Sequence, residues 1–359
     1  MTSAACAFID TAAIAHNFMR VRELAFSSNI LAIVKADGYG HGLIRVARAL
    51  PMADGFGVAR LAEALALRET GVRARIVVMR GWTAPDEIAA FVHHRLDAVI
   101  HDPAQIAMVE SEPPALTADL WLKVDTGMHR LGFLSDEVPS AWSRLLRIRP
   151  EGGRLRLMTH LAATDEIGDP ATTQQLERIA SMAASFDADV SIANSGGILA
   201  WGDARRGWVR PGLMLYGLSP FAEREGADLG LQSAMRLVAP IIAVKYLPRG
   251  AAVGYAGTWV CPVDMPVAIV GIGYGDGYPR HVPTGTPVRV GDATARVIGR
   301  VSMDMIAIDL RNVPVPRVGD PVCLWGPDLP AERIAKAAGM IPYELVTGVM
   351  PRVVRIEAP

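Results

Sequence analysis

Between residues 28 and 220 the chain alternates eight short apolar runs with longer amphipathic stretches. That alternation restricts the fold more than any other feature of the sequence. The runs are ILAIVK (30–35), GFGVAR (55–60), ARIVVMR (74–80), LDAVIH (96–101), LWLKVD (120–125), LRLMTH (155–160), DVSIAN (189–194) and GWVRPG (207–212). Between them lie stretches of helical period such as RLAEALALRETG, SAWSRLLRIRP and TTQQLERIASMAASF. Strands separated by such helices read as βα units on a parallel sheet. The runs are nearly continuous rather than alternating, as expected where both faces of each strand are covered. Eight units predict a closed (β/α)8 TIM-type barrel, although an open doubly wound sheet would alternate similarly. Beyond about residue 228 the pattern changes to short β-rich runs broken by Gly and Pro, with PAERIAKAAG as the one clear helical interval. The expectation is an α/β barrel over 1–228 followed by a mainly antiparallel β domain over 229–359. The first ten residues precede the barrel runs and are free to join the second unit.

Composition excludes several partners. Lys plus Arg number 36 against 37 for Asp plus Glu, a formal charge of −1. Nucleic-acid or anionic-membrane binding normally needs a basic excess. The three cysteines, Cys6, Cys261 and Cys323, form no disulfide framework and no metal-ligand spacing. The opening residues lack the basic and apolar regions of a secretory signal, and no apolar run reaches about 18 residues. The chain is expected to be cytoplasmic, with no metal, nucleic-acid or membrane partner.

Lys35 closes the first barrel run and is followed by Ala-Asp-Gly-Tyr-Gly-His-Gly. A strand-end lysine is usually a snorkelling one. Here it falls at the C-terminal ends of the strands, which form the catalytic face of such barrels. The glycines after it let backbone approach a ligand, and Tyr39 adds a hydroxyl. A desolvated lysine amine can form a Schiff base with a carbonyl. Barrels often build a phosphate site from the loops after strands seven and eight. Those loops read Ala-Asn-Ser-Gly-Gly, with the Ser195 hydroxyl, and Val-Arg-Pro-Gly-Leu, with the N–H groups of Gly212 and Leu213. Together with Lys35 they point to a pocket for pyridoxal 5′-phosphate. Other motifs fail. Asp125-Thr126-Gly127 has the form of an aspartic-protease triplet but occurs once, and GIGYGDG (271–277) is not GxGxxG and sits in a β context.

VKADGYGHG resembles the cofactor-lysine signature of the alanine racemases. The resemblance continues in order through WLKVDTGMHRLGF, THLAATDE, ANSGGIL, WVRPGLMLYGLSP, VGYAGTW, GYGDGYPR and GRVSMDM. It covers nearly the whole chain and is closest to proteobacterial members. It implies a homodimeric enzyme that interconverts L- and D-alanine with pyridoxal phosphate in sites shared between subunits. By the same resemblance Lys35 holds the cofactor and serves as one base, and Tyr255 is the second base, contributed by the neighbouring subunit. Met303 binds the substrate carboxylate through its N–H, supported by Asp304. Arg130 touches cofactor and substrate, while His160 and Arg210 support Tyr255 and the cofactor ring. Tyr274 and Arg280 belong to the substrate entrance. Lys123 is expected to be carbamylated, since an ammonium beside Arg130 would be repelled and poorly solvated.

Racemisation removes a proton from one face of a carbon and returns it to the other. One fixed side chain does not easily serve both faces, so two opposed bases are the economical arrangement. Two departures from the family pattern accompany the resemblance. Aligned on Tyr343-Glu344-Leu345, the position of a phosphate-binding tyrosine in some members falls on Pro351, so one phosphate contact is expected to be absent or replaced. Ser191 stands where some members have histidine. Two other readings compete. A decarboxylase of the same fold generally places an acidic residue at the position of Arg210. A non-catalytic cofactor-binding protein would lack the β domain.

Overall fold

A computed structural model of the chain describes residues 4–110 and 116–358. After β1 (Cys6–Ile9), eight strands form one parallel sheet: β2 (Asn29–Ile33), β3 (Gly55–Val58), β4 (Arg75–Val78), β5 (Asp97–Ile100), β6 (Leu120–Lys123), β7 (Leu155–Met158), β8 (Val190–Ser191) and β9 (Trp208–Val209). The order β8-β7-β6-β5-β4-β3-β2-β9 is sequential, and a bridge between Ser191 and Gly207 closes the ring. The barrel, rather than the open sheet, is the fold. Every residue of β3, β5 and β7 is buried, which accounts for the uninterrupted apolar runs. The outer helices show the complementary pattern. Val138–Ile148 buries Val138, Ala141, Trp142, Leu145 and Ile148, a stripe at helical spacing facing the strands.

The two ends of the barrel differ in chemistry. At the N-terminal ends of the strands, Arg75 is paired with both Asp97 and Asp119, and Trp121 Nε1 donates to Asp97 at 2.8 Å. These internally satisfied charges close the floor. The opposite end is left open for a site.

The second unit is built on β10 (Met235–Leu247), followed by β11 (Ala252–Val253), β12 (Trp259–Val260), β13 (Met265–Val270), β14 (Pro287–Val290), β15 (Ala293–Ile298), β16 (Ile306–Asp309), β17 (Pro321–Trp325) and β18 (Val354–Glu357). The order β13-β16-β15-β14-β17-β10, with β10 also paired to β13, closes a six-stranded antiparallel ring. β1 adds to β10 from outside and pairs in parallel with β18. The helical content exceeds the sequence expectation. Besides Ala331–Ala337 there is a second helix, Pro342–Thr347, opened by Pro342 at its first position. This helix packs directly on the loop after β2: a Cβ at Gly40 would lie 2.3 Å from the Val346 carbonyl oxygen. Arg355 of β18 donates to the Gly40 carbonyl at 2.7 Å. The C-terminal segment therefore braces the catalytic end of the barrel.

Candidate active site

β2 ends at Ile33, two residues before Lys35, and the chain then turns left-handed. Ala36, Asp37, Gly38 and Tyr39 have φ of 54°, 53°, 60° and 53°. Only Gly38 adopts this region freely, and each of the other three costs roughly 1–2 kcal/mol. Local bonds offset the strain. Gly38 N–H donates to the Val34 carbonyl at 2.8 Å, and Asp37 Oδ1 accepts from Leu43 N–H at 2.8 Å. His41 Nδ1 donates to the Tyr39 carbonyl at 2.9 Å; its burial lowers the imidazole pKa to about 4, so the ring stays neutral. The turn brings Lys35 and Tyr39 to the same cavity.

That cavity, about 470 Å³, is lined by Lys35, Tyr39, Lys123, Arg130, His160, Ser195, Arg210, Gly212 and Leu213. Each comes from a barrel strand end or the loop after it. At one end, Asn194 caps the helix Ser195–Ala200 by accepting from Gly197 N–H at 2.9 Å. Ser195 Oγ accepts from the N–H groups of Gly212 and Met214 at 3.1 and 3.2 Å. A Cβ at Gly212 would lie 2.5 Å from the Tyr39 hydroxyl, so only glycine leaves this cradle open. Tyr39 stacks on Tyr216 at 4.7 Å and meets Tyr343 at 6.0 Å. A phenol from a position other than Pro351 stands at this end. Pro351 is exposed and outside the cavity, while Tyr343, on the helix Pro342–Thr347, lines it. Burial pushes the Tyr343 phenol up to about 12 and raises Tyr39 as well, so both are hydrogen-bond donors at neutral pH.

The other end is cationic. Arg210, buried, donates to Ser191 Oγ at 2.7 Å, to the Thr159 carbonyl at 2.6 Å and to the Ile192 carbonyl at 3.1 Å. Ser191 thus replaces a histidine without leaving the guanidinium unpaired. Burial lowers Arg210 to about 10, and it remains a cation. Its Nη2 also lies 3.2 Å from His160 Nδ1. Burial, then Arg210, Lys123 and Arg130, hold His160 well below its usual pKa. The imidazole is therefore neutral and accepts at Nδ1, which assigns the proton to Nε2. Lys123 is likewise pushed well down, by burial and then by Arg210 and Arg130. Lys35 is lowered by burial and Arg130. Arg130 is carried on a loop in which Asp125 Oδ1 accepts the N–H groups of Gly127, Met128 and His129 at 2.9, 3.0 and 3.1 Å.

The remaining candidates lie elsewhere. Tyr255, Tyr274 and Met303, on loops of the β domain, are 68%, 39% and 53% exposed, and none lines the cavity of its own chain. Arg280 is exposed as well. Tyr274 N–H donates to the Ser302 carbonyl at 3.0 Å and Gly275 N–H to the Met303 carbonyl at 2.8 Å. Arg352, which the sequence did not single out, ties these loops by donating to Asp276 and to Asp304, both at 2.7 Å. Arg352 thereby joins the loops that carry Tyr274, Met303 and Asp304.

Comparison with known proteins bears on both halves. Residues 9–220 match the family described as alanine racemase, N-terminal domain, and residues 234–357 match alanine racemase, C-terminal domain. The alanine racemase of Nitrosococcus oceani is 48% identical over 349 residues, covering 96% of this chain and 98% of the relative. That of Coxiella burnetii is 46% identical over 98% of both. The crystal structure of biosynthetic alanine racemase from Pseudomonas aeruginosa superposes with a TM-score of 0.94 at 41% identity, covering all of both chains. The alanine racemase of Bartonella henselae, solved with covalently bound pyridoxal phosphate, superposes at 0.89 with 26% identity, over 99% of this chain and 100% of that one.

Proposed function

The chain belongs to the alanine racemase family, and from that premise we propose that it interconverts L- and D-alanine using pyridoxal 5′-phosphate. The observation that carries this reading is one cavity holding the Lys35 amine at its wall and the Ser195–Gly212 cradle at its end. The residues fit the cofactor. Lys35 would hold its aldehyde carbon. The Ser195 hydroxyl, the N–H groups of Gly212 and Leu213 and the phenols of Tyr39 and Tyr343 would hold its phosphate. Arg210 and His160 would lie along its ring. When bound, pyridoxal phosphate supplies the electron sink that acidifies the substrate α-hydrogen.

The chain's own groups then have distinct tasks. Lys35, its proton affinity lowered by burial and Arg130, takes or returns the α-proton on one face. Arg210 has donors only and leaves a ring nitrogen beside it unprotonated, which keeps the electron sink weak and limits side reactions. Arg130 supplies positive charge for the substrate carboxylate. The second face needs a further base, and by the family resemblance it is Tyr255. Tyr255 and Met303 are exposed and outside the cavity of their own chain, so the active form is a homodimer in which the partner subunit's Tyr255 reaches the cavity. His160 Nε2–H is a donor free to orient that phenol. Tyr274 and Arg280 form the substrate entrance by the same resemblance, and Asp304 supports Met303. By the family resemblance, Lys35 serves D-alanine and the partner subunit's Tyr255 serves L-alanine. Localisation in the cytoplasm accords with three free cysteines. No described helix is long and apolar enough to cross a membrane. Purified protein with added cofactor should interconvert the alanine enantiomers without releasing carbon dioxide. Carbon dioxide release instead would assign a decarboxylase.

Sharing of sites has a direct test. Mixing Lys35→Ala with Tyr255→Phe subunits should restore activity, because each heterodimer has one site with both groups intact. Random exchange makes half the dimers mixed, so recovery should approach about a quarter of wild type. No recovery despite demonstrated exchange would mean that each site is built within one chain.

Lys123 is the proposed carbamate. A neutral amine is the form that adds carbon dioxide, and burial with Arg210 and Arg130 favours that form. The resulting anion would pair with Arg130 rather than repel it. Native mass spectrometry at neutral pH should find the mass of one carbon dioxide per chain, lost on acidification. An unmodified chain would exclude it.

A further inference from the structure

In a left-handed turn, as in any helix, the first N–H has no partner inside the turn. Here the N–H groups of Gly38, Gly40 and Gly42 donate to the carbonyls of Val34, Ala36 and Asp37 at 2.8, 3.0 and 2.8 Å. The N–H of Ala36, the residue directly after Lys35, instead donates to Glu63 Oε1 at 2.7 Å. Glu63 lies in the helix Leu61–Glu69, which belongs to the next βα unit. Its other oxygen, Oε2, accepts from the N–H groups of Ala59 and Arg60 at 2.8 and 3.1 Å. One carboxylate thus clamps three backbone donors from two adjacent loops. Ala36 and Ala59 line the cavity, and Glu63 does not.

We infer that Glu63 is a positioning residue for Lys35, holding the near end of the left-handed turn so that the lysine amine is presented to the cavity. The inference rests on the function proposed above. A glutamate at the third position of a helix commonly accepts from the N–H at the helix start, which explains the bond to Arg60. It does not explain the bond to Ala36, which crosses to another loop. The far end of the turn has its own ties: Asp37 to Leu43, His41 to Tyr39 and Arg355 to Gly40. Among the described residues, Glu63 is the one side chain bonded to the backbone N–H next to Lys35. Its negative charge also opposes the effect of Arg130 and Arg210 on the Lys35 amine.

Two substitutions in the full-length enzyme separate reach from charge. Glu63→Asp keeps the charge and can still accept from Arg60, but it is one methylene too short to span both loops. Glu63→Gln keeps the reach but loses the charge and one acceptor, so its amide NH2 must face an N–H that the carboxylate accepted. Three quantities are measured: kcat and KM for alanine, the rate at which added pyridoxal phosphate gains borohydride-reducible visible absorbance, and the melting temperature. Wild type forming that absorbance and racemising alanine establishes the underlying function independently of either variant. Small misplacements of a reacting group cost up to about 100-fold, so Glu63→Asp is expected to lower kcat and the absorbance rate by about 10-fold or more. KM and melting temperature should change little, and Glu63→Gln, which loses one of the two acceptors, should be impaired in the same two rates. Wild-type rates in Glu63→Asp would overturn the assignment. So would losses confined to Glu63→Gln, which would implicate charge alone, or losses that follow a fall in melting temperature.

Discussion

Lys35→Ala is expected to lose racemisation by at least about 10⁴-fold, the upper end of what a positioned acid–base group contributes. The loss is compound because the proposed function gives the amine two tasks: to anchor the cofactor covalently and to move a proton at the α-carbon. The surroundings should survive the change. The left-handed turn is held by backbone and by Asp37, His41 and Arg355, and no hydrogen bond described depends on the lysine side chain. The phosphate cradle of Ser195 and Gly212 is also untouched. The variant should therefore fold, bind pyridoxal phosphate without a borohydride-reducible link, and fail to turn over. Added small amines should restore part of the proton transfer. A reducible link at wild-type level would assign the anchoring role to another lysine.

The second large effect is expected at Tyr255. Tyr255→Phe removes one oxygen from a side chain that is 68% exposed in the single chain, so stability should barely change. Cofactor binding should also persist, since Lys35, Ser195 and Arg210 are unaltered. Racemisation should fall by about 10²–10⁴-fold, because one face of the α-carbon then has no acid or base. Steady-state assays in both directions should show the fall in kcat. Near-wild-type turnover would mean that the phenol has no part in proton transfer.

The barrel was legible because burial on both strand faces writes itself as continuous apolar runs, and the helices between them keep a clear period. The groups proposed to serve the cofactor were legible for a related reason. Lys35, Ser195 and Gly212 sit at strand ends beside glycines, where backbone must approach something. What escaped the sequence was the third dimension. Of the four left-handed residues only Gly38 announces its conformation; Ala36, Asp37 and Tyr39 give no local sign of positive φ. Tyr343 was missed because its helix, Pro342–Thr347, is six residues long, too brief for periodicity to register. Its place in the cavity depends on packing against Gly40, 303 positions away. Glu63 and Arg352 read as ordinary charges on a helix and a turn. Their partners, Ala36 for one and Asp276 with Asp304 for the other, are fixed by the fold alone.

The central claim is that two opposed groups, one from each subunit, serve the two faces of the α-carbon. It is tested most directly by α-hydrogen exchange in deuterated water with the Tyr255→Phe enzyme. Lys35 remains in place, so D-alanine should exchange its α-hydrogen with retention of configuration. L-alanine should exchange about 10²–10⁴-fold more slowly than with wild type, because its α-hydrogen faces the position from which the phenol has been removed. Equal exchange of both enantiomers would show that one base reaches both faces, and the two-subunit, two-base account would be wrong.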